Sequence, residues 1–501
     1  MPWAGSTRAE PSAAKSVPDT FVDTAGNVRE VEAAERDLLP TRDGHHDRML
    51  IGIGVGLAVG SFAYWIDQDR NVADWDDPSL KARFTGAAWR FDNNNLYTNF
   101  LLHPLSGGGA YNLARANHFG WPTAVGYACL SSFLWEWVLE FKEQVSVNDS
   151  ITTSFGGVPL GEFFYKLGLY LDSADRPSVA LRAARLVLGT GVQLDRYLDG
   201  DEPRAPLARD SLGLTSAIWH DFAFRYTLSA SRVATSREFS VHDLGFSGRL
   251  VSIPGYLRPG DFGFLFKRAD VTSLEVWTEG SAHGAGMGVH ADTMLVGYHA
   301  QQVGGTREVP HGYAATVGTS LAYRFLDSAA HGFAEKLSVV HFPGFALDWS
   351  AVAKHIGLYV SARANFDFAA LGTPAYADWA EANPGERGKA ILRRQGYFYG
   401  FGGSASATGT LELGPVRIGG DVYYGRYPSQ EGLERHPEKM TIDVPADGSV
   451  MIARASLGVA PPGLPLEVGI RTGVRRWKTQ VGGFPERRTA MDPGLSVTAA
   501  F

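Results

Sequence analysis

The chain has almost no cysteine. A single thiol, Cys129, among 501 residues excludes a disulfide framework and a cysteine metal cluster. Excess positive charge is missing too. Lys and Arg number 46 against 53 Asp and Glu, a net charge of −7, so no general basic field exists to hold a nucleic-acid backbone. Long hydrophobic runs are scarce, and a mean hydropathy of −0.11 excludes a bundle of many membrane-spanning helices. A composition of 45% apolar and 12% aromatic residues still excludes a chain disordered throughout. Glycine is what the chain has in excess. Its 59 glycines are about 12% where about 7% is usual, with no Gly-X-Y period. Inside alternating segments, glycine at this level points to twisted, closely approaching strands.

The chain divides into four parts. Residues 1–45, rich in Ala, Ser, Pro and charge, read as a disordered tail without the plan of a secretory signal peptide. Residues 46–85 hold the one long apolar run, Met49 to Ile66, at the lower limit for a spanning helix. Gly52, Gly54, Gly56 and Gly60 weaken it as a helix, which leaves a membrane helix, a strand pair and a packed element open. Residues 86–215 have helical periodicity. Trp121 to Lys142 is apolar nearly all round except for Ser132, Glu136 and Glu140, the pattern of a helix buried on most sides. Further helices are expected over Pro159–Leu171 and Pro177–Leu188.

Over residues 216–501 the period becomes two. Leu466, Val468, Ile470, Thr472 and Val474 alternate with Glu467, Gly469, Arg471, Gly473 and Arg475, and equivalent runs cover 317–324, 356–367 and 416–425. Such runs exceed ordinary soluble strands, aromatic residues cluster near their ends, and the chain stops on an alternating segment at Phe501. These features favour a mainly β fold with an N-terminal α-helical module, its sheet an antiparallel transmembrane β-barrel of roughly twelve strands. A terminal Phe on an alternating strand resembles the signal that the outer-membrane barrel assembly machinery reads.

Polar residues recur inside the apolar helices between Phe91 and Glu162. Asn99 precedes His103-Pro104 and Gly107; Tyr111 precedes Arg115 by four; Trp135-Glu136 precedes Glu140. Ser146, Asn148 and Asp149 form a turn, and Gly156-Gly157 leads to Gly161-Glu162. In this order the five motifs resemble the bacterial family called domain of unknown function 3943 over about residues 86–200. One departure is Asn94, where the family pattern often has an acidic residue after Asp92. The resemblance implies an envelope protein with a β-rich remainder; the family has no established reaction, so the resemblance bears on location more than on mechanism.

Glu136 and Glu140 stand one helical turn apart, so their carboxylates share a face. In an apolar setting two such groups call for a proton, a cation or an arginine between them. With His103 they form a candidate acid–base or divalent-cation site; with Arg115 they form an ion-paired network. The plainer reading makes Asp92, Asn99, Arg115, Asn148, Asp149 and Glu162 a buried polar network that holds helices and loops together. Ser146–Asp149 reads as turn and cap chemistry, and His45-His46 as a tail pair. Gly284 to Gly288 is no dinucleotide loop, since no helix follows it. Arg324, Arg363, Arg417, Arg471 and Arg475 either line a lumen or pair with Glu467, Asp367 and Asp421.

The expected protein is an outer-membrane envelope barrel of structural or transport type. Its partners are outer-membrane lipid and the assembly machinery, with no nucleic acid, and its module is periplasmic or a plug in the lumen. The alternatives are a membrane-embedded hydrolase or lipid-modifying enzyme using His103, Glu136 and Glu140, and a soluble periplasmic binding protein.

Overall fold

A computed structural model describes residues 43–68, 76–174, 177–200, 209–233, 239–305, 310–461 and 464–501. The tail expected over residues 1–45 lies, as far as residue 42, outside them. From Trp219 the chain runs as one antiparallel sheet: β1 (Trp219–Val233), β2 (Phe239–Val251), the two-part β3 (Gly260–Phe266 and Val271–Ser281), β4 (Gly284–Gly305), β5 (Pro310–Ser328) and β6 (Glu335–Ala353). It continues with β7 (Ile356–Gly372), β8 (Tyr397–Leu413), β9 (Val416–Pro428), β10 (Ala446–Val459), β11 (Leu466–Val481) and the two-part β12 (Phe484–Met491 and Gly494–Ala500). Strands adjacent in the chain pair, and β12 returns to β1, with Leu495 opposite Leu228 and Val497 opposite Tyr226. The sheet is therefore a closed barrel of 12 strands. Closure leaves no edge of unpaired backbone groups, as a sheet in lipid requires.

Alternation sorts the strand side chains onto two faces. Tyr226, Leu244, Tyr313, Phe345, Ile470 and Leu495 lie exposed on one. The other carries ion pairs between distant strands: Arg249 of β2 with Asp348 of β6 at 2.6 Å, Arg454 of β10 with Glu275 of β3 at 3.8 Å, and Arg475 of β11 with Glu335 of β6 at 3.4 Å. Strands so far apart in the sheet meet only across the lumen. The charged face is thus inward and the apolar belt outward, the arrangement of a membrane barrel. A soluble binding protein would present the reverse.

Both ends of the lumen are packed. Between β7 and β8 the chain forms helices Ala375–Ala382 and Ala390–Gln395. Their Trp379 and Leu392 pack with inward-facing Trp277, Leu371, Tyr423 and Val450. At the opposite end Ile253 and Tyr256, from the connection between β2 and β3, pack with Phe266 and Met294.

The N-terminal part forms α1 (His46–Gln68), α2 (His103–Ala116), α3 (Trp121–Leu134), α4 (Gly157–Asp172), α5 (Val179–Leu188) and α6 (Thr190–Asp199). The Met49–Ile66 run is thus helical within α1. Met49 and Ile53 are buried, and two of the four glycines press on the module, a Cβ at Gly52 or Gly60 falling 2.5 Å from Leu113 or 2.7 Å from Trp135, whereas one at Gly54 or Gly56 meets nothing within 4 Å. Helices α2 and α4 meet backbone to backbone. A Cβ at Gly107 would sit 1.7 Å from the Thr153 carbonyl oxygen, and one at Gly157 would sit 2.3 Å from the Gly108 nitrogen. Where one helix was expected to run to Lys142, α3 ends at Leu134 and passes into a π-helical turn, Trp135–Leu139.

Phe91, Phe100, Leu160 and Phe163 of the module share one core with Phe222, Leu274, Val289, Tyr323, Val340 and Phe368 of the barrel. Phe222 lies two residues from exposed Phe224, Phe368 two from exposed Phe366, and Tyr323 six from exposed Val317. Even spacing puts these buried side chains on the same strand face as the exposed belt. Strands β4, β5 and β6 have 22, 19 and 19 residues, about twice the 9–11 needed to span. One set of strands therefore has length for both lipid and module.

Candidate functional site

Three π-helical turns interrupt the module helices: Thr98–Leu102, Trp135–Leu139 and Thr152–Gly156. Such turns are rare and concentrate at functional sites. Here the first delivers His103, the second holds Glu136 and the third holds Thr153, and these side chains belong to one cluster. His103 Nε2 lies 3.5 Å from Asp149 Oδ1, while its Nδ1 is 3.2 Å from the Thr153 hydroxyl. One ligand atom each from His103, Glu136 and Asp149 lie within 4.8 Å of one another.

The surrounding hydrogen bonds fix this group. The Ser146 N–H donates to Glu136 Oε2 at 3.1 Å, and Asn148 Nδ2 to Asp149 Oδ1 at 2.8 Å. Asn148 Oδ1 accepts from the Asp92 N–H at 2.7 Å and the Ser146 hydroxyl at 3.1 Å. Ser146 caps the helix that carries Asp149, its Oγ accepting from the Asp149 N–H at 3.2 Å, so the turn-and-cap reading holds. Thr153 lies four residues beyond Asp149, a helical spacing that carried this second partner in plain view.

Charge in the cluster is lopsided. Glu136, Asn148 and Asp149 are buried, and among the described residues no Lys or Arg ion-pairs with Glu136 or Asp149. Burial, then the neighbouring Glu140 and Asp149, push the Glu136 carboxyl well up. Burial raises Asp149 to about 7. Asp92 also reaches about 7 by burial and the charge of Asp149, against the pull of Arg435. Burial pushes His103 down to about 4, leaving a neutral imidazole at neutral pH. Two arginines that no motif pointed to serve the rim. Arg435, from the connection between β9 and β10, pairs with Glu143 at 2.6 Å, Asp76 at 3.0 Å and Asp92 at 3.4 Å. Arg83 donates to the backbone carbonyls of Glu136, Glu140, Phe141 and Glu143.

Two expected partnerships differ. Glu140 does not complete the group with His103 and Glu136. Its Oε1 accepts from the Trp135 indole at 2.8 Å, although it stays close enough to Glu136 for its charge to raise that carboxyl. Arg115 pairs with neither Glu136 nor Glu140. Its Nε and Nη2 grip Glu162 at 2.8 and 3.1 Å, and Tyr111 donates to the same carboxylate at 2.8 Å. Asn99 faces the barrel, donating to Tyr399 Oη at 2.7 Å and Tyr397 Oη at 3.3 Å.

In the lumen three of the five arginines, Arg363, Arg417 and Arg475, are ion-paired, and among the described residues Arg324 and Arg471 are not. Arg363 meets Asp348 at 2.9 Å and Asp292 at 3.0 Å, and Arg417 meets Glu412 at 2.7 Å and Glu467 at 2.9 Å. Asp421 is held by Arg454 and Asp367 by His341. Arg324 lies over the Tyr423 ring at 4.3 Å. Gly284–Gly288 opens β4, as its lack of a following helix implied. His45, His118 and Asp199 make a second, half-buried group, and His46 Nδ1 bonds the Tyr127 hydroxyl at 2.5 Å.

Fold and site together define a transmembrane β-barrel with an attached helical module that carries a buried carboxylate–histidine cluster. Residues 88–190 match the family described as "Domain of unknown function (DUF3943)", the stretch in which the five motifs fall. No curated protein matches the chain. Among solved structures it is similar to OpdQ of Pseudomonas aeruginosa (7% identity, 57% of this chain and 98% of that one, TM-score 0.14). It is also similar to OmpT, an outer membrane protein of Vibrio cholerae (8%, 57% and 100%, 0.14), and to the outer membrane protein OprD of P. aeruginosa (8%, 57% and 94%, 0.15). Likeness this slight says nothing of what this chain does.

Proposed function

We propose that this protein is a closed outer-membrane barrel of the cell envelope, structural in type, that anchors its helical module against the outer wall. The observation that carries this reading is the filled lumen. Arg454–Glu275 crosses its middle, Arg249–Asp348 and Arg475–Glu335 cross it nearer its two ends, and apolar clusters pack both ends. A diffusion channel needs a continuous wet path, and burying these inward ion pairs against one another removes it. The packing of Phe100 and Phe163 on belt-face side chains supports a module outside the lumen, in place of a plug. Outer-membrane lipid is then the solvent of the apolar belt, and the alternating last strand is the segment offered to the assembly machinery. Planar-bilayer recording of the full chain tests the reading: no conductance above leak is expected, and a steady porin-sized current overturns it.

A further inference from the structure

We propose that His103, Glu136 and Asp149 bind one divalent first-row transition-metal ion inside the module. The donor set is an imidazole nitrogen with two carboxylates, the ligand types that zinc-class ions take from proteins. Their ligand atoms already lie within 4.8 Å of one another. Tetrahedral bonds of about 2.0–2.2 Å place ligand atoms roughly 3.3–3.6 Å apart, so small side-chain movements close the set.

Three further observations point to a cation. The Thr153 hydroxyl engages His103 Nδ1 at 3.2 Å and leaves Nε2 facing Asp149, as the outer partner of a metal-bound histidine does. Asn148 and the Ser146 N–H orient Asp149 and Glu136 in the same way. The two carboxylates are almost wholly buried with no arginine or lysine on them among the described residues, so a dication supplies the missing positive charge. Lastly, π-helical turns adjoin or contain His103, Glu136 and Thr153, a convergence that ordinary helix packing does not require. Three protein ligands leave a coordination position open, the pattern of reactive in place of purely structural sites.

The test uses the full chain in detergent, carrying His45→Gln, His118→Gln and His331→Gln to disable the two other histidine–carboxylate groups found among the described residues, His45–His118–Asp199 and Glu279–His331–Glu335, stripped with chelator and titrated with Zn²⁺. One bound ion per chain is expected by elemental analysis after gel filtration. Glu136→Gln and Asp149→Asn should each weaken binding at least tenfold, and Thr153→Val by about tenfold, while heat-modifiable migration of the barrel is unchanged. X-ray absorption on the Zn²⁺-loaded parent, which needs no further substitution, should show one imidazole among oxygen ligands. Failure of the parent to bind Zn²⁺, a shell of oxygen alone, or unchanged affinity in Glu136→Gln and Asp149→Asn overturns the proposal. A conductance measurement bears on the closed barrel alone, so the two readings fail separately.

Discussion

Replacing Glu162 by Ala probes the bond that ties α2 to α4. Glu162 is fully buried and Arg115 nearly so, and the pair is bidentate at 2.8 and 3.1 Å. Arg115 also donates to the Phe119 carbonyl at 2.9 Å and lies over the Tyr165 ring at 4.6 Å, so it cannot swing to water without leaving its packing. Removing the carboxylate strands a buried guanidinium and the Tyr111 hydroxyl, which costs about 3–5 kcal/mol. Glu162→Gln keeps an acceptor for Tyr111 and falls at the lower end of that range. Replacing both charges, Arg115→Met with Glu162→Leu, should recover most of the loss, because two desolvated charges go together. Pulse proteolysis in urea, with cleavage in the module scored against the resistant barrel, reads each value. A coupling energy above about 2 kcal/mol is expected from the cycle. Glu162→Ala within about 1 kcal/mol of wild type would refute the claim that this pair is dry and mutually dependent.

Other outcomes rest on the same structure. Ile470→Arg, on the exposed belt, should cost about 2–4 kcal/mol in the bilayer and lower the folded fraction in outer-membrane preparations; an unchanged yield would mean that this face does not meet lipid. Gly107→Ala puts a Cβ 1.7 Å from a backbone oxygen and should cost at least about 1–3 kcal/mol, whereas Gly109→Ala meets nothing within 4 Å and should be neutral or better by about 0.5–1 kcal/mol; equal protease resistance would break the close-crossing argument. Burial pushes Glu434 up to about 7, against the pull of Lys389. Because the raised value is in the folded state, its stabilisation is complete below the ordinary carboxylate range and lost as pH rises through about 7. Glu434→Gln should therefore flatten the fall in module stability between pH 5 and pH 8, and an unaltered slope in proteolysis would reject this.

The barrel was legible because its signal is local. The alternation of Leu466 to Val474 with Glu467 to Arg475 names both faces of β11, and Phe501 marks a strand whose partner, β1, lies at the far end of the sheet. Register breaks were legible in part: nothing in the sequence signals the pairing shift between Met294 and Val296, whereas the shift between Ser320 and Ala322 falls opposite Pro343, whose missing N–H marks a bulge inside a strand. At the site, residue types were legible and partnerships were not. His103, Glu136 and Asp149 come from three segments that only the tertiary fold brings together, and Arg435 arrives from the other side of the barrel sequence. The i,i+4 rule joined Glu136 to Glu140, which do feel each other's charge, but it could not show that Asp149 is the carboxylate grouped with His103, and no spacing rule pairs Arg115 with Glu162 across 47 residues. The close backbone contacts at Gly107 and Gly157 were equally invisible until both helices were placed.

The core shared by Phe100, Phe163 and the strands has a consequence for the order of events in biogenesis. Synthesis delivers the module before any strand exists, so its apolar side stays uncovered until β7 and β8 have been laid down, and β1 waits for Phe501 before it gains its second neighbour. A carrier that escorts the chain must therefore shield helices and strands together, and a fragment ending near residue 215 should behave as an aggregating half-surface in place of a domain. Docking of the module then reports that the wall behind it is complete, which makes a latch of what looks like an appendage.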